Sequence, residues 1–480
     1  RSKRILILMK KLGLKSGIEI HQQLDTGKLF SRCQSRLDSS TPDFTVSRRL
    51  RALAGEMGKV DVAAAHAAEK KLTYIYEVHN NNTSLVELDE EPPELINTEA
   101  LDTVLLVCKM LNCRIIPYIK VMRKTVVDGS NTSGFQRTCL VGIDGYIETS
   151  NGRVSIDTVV LEEDSARRTS ETKDTVTYRL DRLGIPLIEI ATGPDMKTAE
   201  QVQEVAKKLG TILRSTGKVI RGLGTIRQDV NISIKGHARV ELKGVQDLQQ
   251  IPKISEIEAK RQKAEIDMAR KTESHVRNVK EDLTSKFLRP MPGSARMYPE
   301  TDHPIIKVDM DRVKEMKLPE LIPGRIKRYK KLGLNTELAE RMADSRKNEV
   351  FDRAMIKQKL NPTLVATTLL STEKEIKRKL KLESGRFPEE FYSRLFKLLD
   401  HAEITKESIS KVMERFMTGE DFDDIVKNYK PISDVELRKI VKENYDKELP
   451  HGALIGKIMS VVAGKADGKK VAKLISELKR

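Results

Sequence analysis

The segment that most constrains this chain runs from Leu161 to Asp195, LEEDSARRTSETKDTVTYRLDRLGIPLIEIATGPD. It opens on three consecutive acids, Glu162, Glu163 and Asp164, and closes around Glu189, which is set in the apolar run 185–190. Residues 176–182 alternate polar and apolar with a period of two, the signature of a half-buried strand. Gly184 and Pro186 break that run, so the chain turns before a second extended segment, PLIEIAT. A carboxylate flanked by Leu187, Ile188 and Ile190 is expensive to bury unless a cation or a donor meets it. Glu189 is therefore a candidate ligand for a hard metal such as Mg²⁺, which prefers oxygen ligands. A solvent-facing Glu on an amphipathic strand is the competing reading.

A second alternating run lies near the start, in GIEIHQQLDT at residues 17–26. It places Glu19 and His21 on one strand face and Ile18 and Ile20 on the other. A carboxylate and an imidazole two residues apart suit metal binding or proton handling. Further alternating runs at 73–78, 143–148, 154–161, 225–234 and 238–245 predict strands. Helical periodicity is expected at 46–71, 98–111, 198–213 and 254–273. Strands that arrive in neighbouring pairs point to a mixed or antiparallel sheet rather than a doubly wound array. From about residue 311 onward the pattern is helical throughout, with Lys/Glu-rich faces. Residues 369–373 offer a helix break with an N-cap candidate. The fold class expected is thus α+β, a sheet domain followed by helices.

At 480 residues the chain is long enough for two to four domains. No apolar run approaches the roughly 20 residues that span a bilayer, and the apolar part after the basic start RSKR is too short for a signal peptide. The four cysteines, at 33, 108, 113 and 139, have no CxxC or zinc spacing. They are expected to be reduced thiols in a cytoplasmic protein, without a structural disulfide. A net charge of +17 favours a polyanionic partner, RNA first among them, through phosphate neutralisation. With 4% aromatics and no Trp, base stacking is not the main device. No GxxxxGK[ST] phosphate loop occurs, so a bound nucleotide would be held by metal-bridged carboxylates and basic side chains.

The motifs GIEIHQQLDTGKLF, LEEDSARR and RLDRLGIPLIEIATGPD together resemble the B/E subunits of tRNA-dependent amidotransferases. DGSNTSGFQRT and YPETDHP are similar to the archaeal E-type branch. The resemblance runs from about residue 13 to the C-terminus. It implies a curved catalytic "cradle" over residues 1–290, a linker and helical domain over 291–405, and a helical tRNA-gripping tail over 406–480. Near residues 273–285 the synthetase-like insertion common in the E-type branch is either absent from this chain or omitted from this sequence. The resemblance implies ATP and Mg²⁺ as cofactors. It implies phosphorylation of the glutamate side chain of Glu-tRNA(Gln), followed by displacement of phosphate by ammonia. An asparaginase-like D subunit would supply the ammonia, in a heterotetramer with two copies of each chain.

Carried over position by position, the family pattern makes His21, Glu163 and Glu189 the metal set, with Glu19 beside them as a fourth catalytic residue. Glu163 is the better match than Glu162, but only one of two adjacent strand residues can face a site. Arg137, Arg182, Arg227, Asp229, Asn231 and Lys243 are expected to contact ATP or substrate. Lys457, Lys465, Lys469 and Lys470 are expected to contact tRNA. The remaining histidines read as surface or packing residues. The rivals are a B-type subunit of the three-subunit Asp/Glu-tRNA enzyme and a non-catalytic tRNA-binding scaffold.

Overall fold

The computed structural model describes residues 11–51, 58, 60, 72–291, 297–381 and 387–478. The chain divides into two compact units, Arg1–Pro319 and Glu320–Arg480.

In the first unit, β1 (Lys15–Gln23), β2 (Phe44–Arg48) and β3 (Thr73–Val78) precede α1 (Thr98–Met110). Short strands β4 (Arg114–Ile115) and β5 (Tyr118–Ile119) lead to β6 (Val121–Thr125) and the long hairpin β7 (Phe135–Thr149) and β8 (Gly152–Glu163). Then follow β9 (Arg167–Glu171), β10 (Thr175–Arg179), β11 (Pro186–Thr192), α2 (Ala199–Ser215), β12 (Ile226–Ser233) and β13 (Val240–Val245). Helix α3 (Ile251–Asp267) precedes β14 (His275–Val279), β15 (Ser285–Pro290), β16 (Met297–Pro299), β17 (Ile306–Lys307) and α4 (Met310–Glu315). The main sheet has eleven strands in the order β15-β14-β13-β12-β1-β11-β8-β7-β6-β16, with β4 alongside β7. A smaller sheet runs β2-β3-β10-β9, and β17 pairs with β5.

Strand alternation decides what each face of the main sheet does. Ile18 and Ile20 of β1, Ile188 and Ile190 of β11, Val159 and Leu161 of β8, and Val230 and Ile232 of β12 are buried in one core cluster. Helices α1 and α2 cover that face. Each starts on a capping side chain, Asn97 accepting from Ala100 N and Thr198 accepting from Gln201 N. The helix face Val202, Val205, Ala206, Leu209, Leu213 packs into the same core at three- and four-residue spacing. The smaller sheet has its own core, built on Tyr74, Tyr76, Val176, Tyr178 and Leu180.

The fold is α+β, as the alternating runs and the helical C-terminal pattern lead one to expect. Several expected spans change. Residues 44–48 form β2 against β3, not the start of a helix, because Val46 packs on the core of the smaller sheet. The rest of that expected helix, 52–57, 59 and 61–71, lies outside the described residues. The helix expected at 254–273 runs Ile251–Asp267, with Pro252 in its first turn. The expected strand 176–182 stops at Arg179, where the chain turns and buries Asp181 against Arg167 and the Asp38 N–H. The boundary expected at residue 290 falls inside the first unit, because β16 returns to pair with β6. Between α3 and β14 lie residues 268–274.

The second unit is helical. Helices α5 (Ile322–Lys331), α6 (Thr336–Ala343), α7 (Asn348–Lys357), α8 (Pro362–Thr367), α9 (Glu373–Leu380), α10 (Glu389–Asp400), α11 (Ile409–Met417) and α12 (Phe422–Lys427) share one core. Helices α13 (Asp434–Glu443), α14 (His451–Val462) and α15 (Gly468–Leu478) enclose a second. The division between these cores falls between α12 and α13, later than residue 405. The break expected at 369–373 is instead a π-helical turn, Thr368–Thr372, that joins α8 to α9 without a cap. Lys347 Nζ bonds the Leu369 carbonyl at 2.8 Å and also pairs with Glu373. Among the described residues no helix is long and apolar enough to cross a membrane.

Because Ile190 is fully buried at the centre of the main sheet, Ile190→Ala should destabilise the first unit by about 2–5 kcal/mol. Urea unfolding followed by far-UV circular dichroism reads this as an earlier first transition.

Candidate active site

The polar face of the main sheet carries a cavity of about 550 Å³. Its lining follows from register. Glu19 of β1 lies opposite Ala191 of β11 and Asp229 of β12, and His21 lies opposite Glu189 and Arg227. On β11 and β8, Leu187 faces Glu162 and Glu189 faces Val160. Residue Asn231 of β12 faces Glu241 of β13. With alternation fixed by the apolar face, Glu19, His21, Glu162, Glu189, Asp229, Glu241 and Lys243 must all project from the opposite face. Lys124 of β6 and Gln136 of β7 share it.

His21 Nε2 lies 3.2 Å from Glu189 Oε2. Burial would lower the His21 pKa, but the hydrogen bond and charge of Glu189, with Glu162 and Asp229 beyond, raise it. Burial would likewise raise Glu189, yet His21, Lys124 and Lys243 hold its carboxyl well below the usual range. The surroundings thus favour the charged form of each partner. Glu19 behaves in the opposite way: burial and the nearby Glu189 and Glu241 push it up to about 7. Lys243 bridges Asp229 Oδ2 at 2.6 Å and Glu241 Oε1 at 2.8 Å, and these acids push its ammonium up to about 12 despite burial. Lys124 pairs with Glu162 and stands 3.6 Å from Glu189. At the rim Arg227 reaches Asp164 Oδ1 at 3.3 Å, while Gln23 holds the other Asp164 oxygen at 2.6 Å.

Two sets of potential ligand atoms each lie within 4.8 Å of one another: Glu19, His21 and Glu189, and Glu19, Asp229 and Glu241. Asn231 donates to Glu19 Oε1 at 3.3 Å, and its own amide oxygen is buried without a partner. Carboxylates crowded enough to lift one pKa to about 7, beside an orphaned amide oxygen, are a donor set that fits a hard divalent cation.

The structure thus brings together Glu19, His21 and Glu189, with Arg227, Asp229 and Lys243 on the same wall and Asn231 beside Glu19. It does not bring Glu163 to them. Glu162 lines the cavity, and Glu163 points to the other face, fully buried against Arg137 Nη1 at 3.2 Å. Burial, only partly offset by Arg137, raises its carboxyl. Arg137 shares that face, held between Glu163 and Glu300, so it does not line the cavity. Arg182 also stays out of it, donating to the Ser165 and Ala166 carbonyls at 2.8 and 2.9 Å. YPETDHP is a clip: Glu300 is fully buried between Arg123 and Arg137, and His303 packs edge-on against Phe30. In the second unit, Lys457 and Lys469 are exposed on α14 and α15, Lys470 pairs with Asp434, and Lys465 is half-buried in the turn between those helices.

Sequence reasoning preferred Glu163 to Glu162, and it missed Lys124 and Glu241. Counting the alternation outward from Glu189 through a paired β8 would have selected Glu162, and the run 238–245 already put Glu241 on the face of Lys243. Nothing local marked Lys124.

A family model described as the GatB/GatE catalytic domain matches residues 14–314, and one described as the GatB domain matches 349–478. A Methanocaldococcus jannaschii protein, named as the E subunit of glutamyl-tRNA(Gln) amidotransferase, is 37% identical, over 96% of this chain and 98% of its own length. One of the same name from Saccharolobus solfataricus is 34% identical, over 97% and 98%.

The Glu19 carboxyl rises from 4.5 to about 7 on folding. Between those values the unfolded chain releases the proton and the folded chain keeps it, so this group's contribution to stability declines as pH rises from 4.5 to about 7 and is level above. Glu19→Gln should therefore be more stable than the parent by roughly 1–3 kcal/mol above neutrality, the difference vanishing in acid. Denaturation midpoints across that pH range measure it.

Proposed function

Since the chain belongs to the GatB/GatE family, we propose that it is the subunit of a tRNA-dependent amidotransferase that converts Glu-tRNA(Gln) to Gln-tRNA(Gln). In the reaction proposed, the γ-carboxylate of the tRNA-borne glutamate attacks the γ-phosphorus of ATP and releases ADP. Ammonia then adds to the acyl phosphate, phosphate leaves, and a proton is lost as the amide forms. The observation that carries this reading is the mixed-charge cavity, where six carboxylates meet Lys124, Arg227, Arg239, Lys243 and Arg289 around the His21–Glu189 pair.

Activation is needed because a carboxylate is a weak electrophile with a poor leaving group. Transfer between two anions calls mainly for alignment and charge neutralisation. Arg227, Arg239 and Arg289 place positive charge around the cavity wall for polyphosphate oxygens. Lys243 and Lys124 sit deeper, each fixed by two acids. Glu19, His21, Glu162, Glu189, Asp229 and Glu241 would hold Mg²⁺, which when bound neutralises phosphate charge and orients ATP. The cavity's partner reagents would be ATP and the acceptor end of the charged tRNA. Ammonia is mostly protonated at neutral pH, so an asparaginase-like partner, in a two-plus-two assembly, would deliver it sheltered. The net charge of +17 and the exposed Lys457 and Lys469 support tRNA contact. A cytoplasmic setting follows from this substrate.

The test is phosphate release by the chain with its ammonia-producing partner, with and without Glu-tRNA(Gln). Release that depends on the charged tRNA, with Gln-tRNA formed, is expected; tight tRNA binding without release would make the chain a carrier. Glu189→Gln should lower turnover at least about 100-fold and abolish the rise in melting temperature caused by Mg²⁺, with tRNA affinity kept.

A further inference from the structure

Helix α1 ends in a Schellman turn. Cys113 N donates to the Cys108 carbonyl at 2.9 Å, Asn112 N donates to the Lys109 carbonyl at 3.3 Å, and Asn112 is left-handed at φ 55°. This turn brings the side chains at its first and sixth positions together, a place normally taken by an apolar pair. Here both are cysteines. The strand above leaves room for both sulfurs, because β7 carries glycine where each thiol rises. A Cβ at Gly142 would lie 2.6 Å from Cys108 Sγ, and one at Gly145 would collide with Cys113 Sγ. Cys108 Sγ, Cys108 Cβ and Cys113 Cβ all crowd the same point beside Gly142, within 3.4 Å of where its Cβ would stand, and Cys113 Sγ donates to the Leu111 carbonyl at 3.9 Å. Cys108 is wholly buried, whereas Cys113 is partly exposed.

We propose that Cys108 and Cys113 form a dithiol modification site that small disulfide oxidants close into an intramolecular disulfide. The partly exposed Cys113 is the entry point. The neighbouring Cys108 thiol lowers the Cys113 pKa, while Cys113 and burial raise that of Cys108. The Cys113 thiolate attacks one sulfur of the reagent, forming a mixed disulfide and expelling one reagent thiolate. Cys108 then attacks Cys113 Sγ, breaking the mixed disulfide and releasing the second reagent thiol. Two cysteine protons leave, the cysteine sulfurs lose two electrons, and the reagent disulfide becomes two thiols. The new bond pins the end of α1 to the start of β4. Cys139, buried in the core, and Cys33, remote in the chain, have no such partner within a shared turn.

The experiment incubates the full chain with graded ratios of reduced and oxidised glutathione, quenches with an alkylating reagent, and maps peptides by mass. The expected result is joint loss of alkylatable Cys108 and Cys113, with their peptides joined, while Cys139 stays reduced. Cys108→Ser should instead trap glutathione on Cys113, and Cys113→Ser should leave Cys108 unreacted. A glutathione adduct that persists on Cys113 in the parent chain, or both thiols remaining alkylatable at every ratio, overturns the proposal. Mapping of the parent chain decides the matter even where a variant fails to fold.

Discussion

The architecture of the first unit depends on one constraint, the parity of a strand. β1 lies between β11 and β12, and burying Ile18 and Ile20 under α1 and α2 commits Glu19 and His21 to the other side. A slip of one residue would drive a carboxylate and an imidazole into the core and lift two isoleucines into the cavity, exchanging favourable burial for unpaired polar groups. Neighbouring strands obey the same rule, so six acids from β1, β8, β11, β12, β13 and the turn after β8 converge without any loop having to place most of them. A site raised on a packed sheet in this way inherits the sheet's rigidity.

The opposing face holds a second charged structure with a different task. Arg137 lies between Glu163 and Glu300, and Glu300 also meets Arg123. Buried ion pairs of this kind contribute little net stability, because desolvation offsets much of the Coulomb attraction. They do penalise any alternative in which one partner is left alone. The network therefore registers β16 against β6 and β7 against β8, and through them the ends of the cavity.

The central strands of the sheet, β7, β8, β11, β1 and β12, were legible because one-sided burial imposes a period of two on the sequence, whereas the short strands β4–β6, β9 and β14–β17 carry too little of that pattern. Glu19 and Glu189 could be read directly, each lying between two buried isoleucines, and His21 from sharing the strand face of Glu19. The choice between Glu162 and Glu163 could not, since adjacent acids look alike until β8 is paired with β11. Arg137 looked like a nucleotide contact for want of knowledge that Glu163 and Glu300 would claim it, 26 and 163 residues away. The segment 44–48 misled for a related reason: its partner, β3, is distant in sequence, and local helical propensity was outweighed by that pairing. The π-helical turn at Thr368–Thr372 leaves no compositional mark, because Lys347, which takes its loosened carbonyl, comes from the turn before α7.

The chain passes from α3 to β14 at the margin of the main sheet, where β14 and β15 form the outermost hairpin. The cavity's principal acids come from strands nearer the middle, and the closing clip at Glu300 fastens the far edge. Chain added at that margin would face a closure entropy that grows only by about 0.6 kcal/mol for each doubling of length. It would break none of the central ladders. A change in chain length at that hairpin therefore leaves the central strands, and the acids they carry, unaltered.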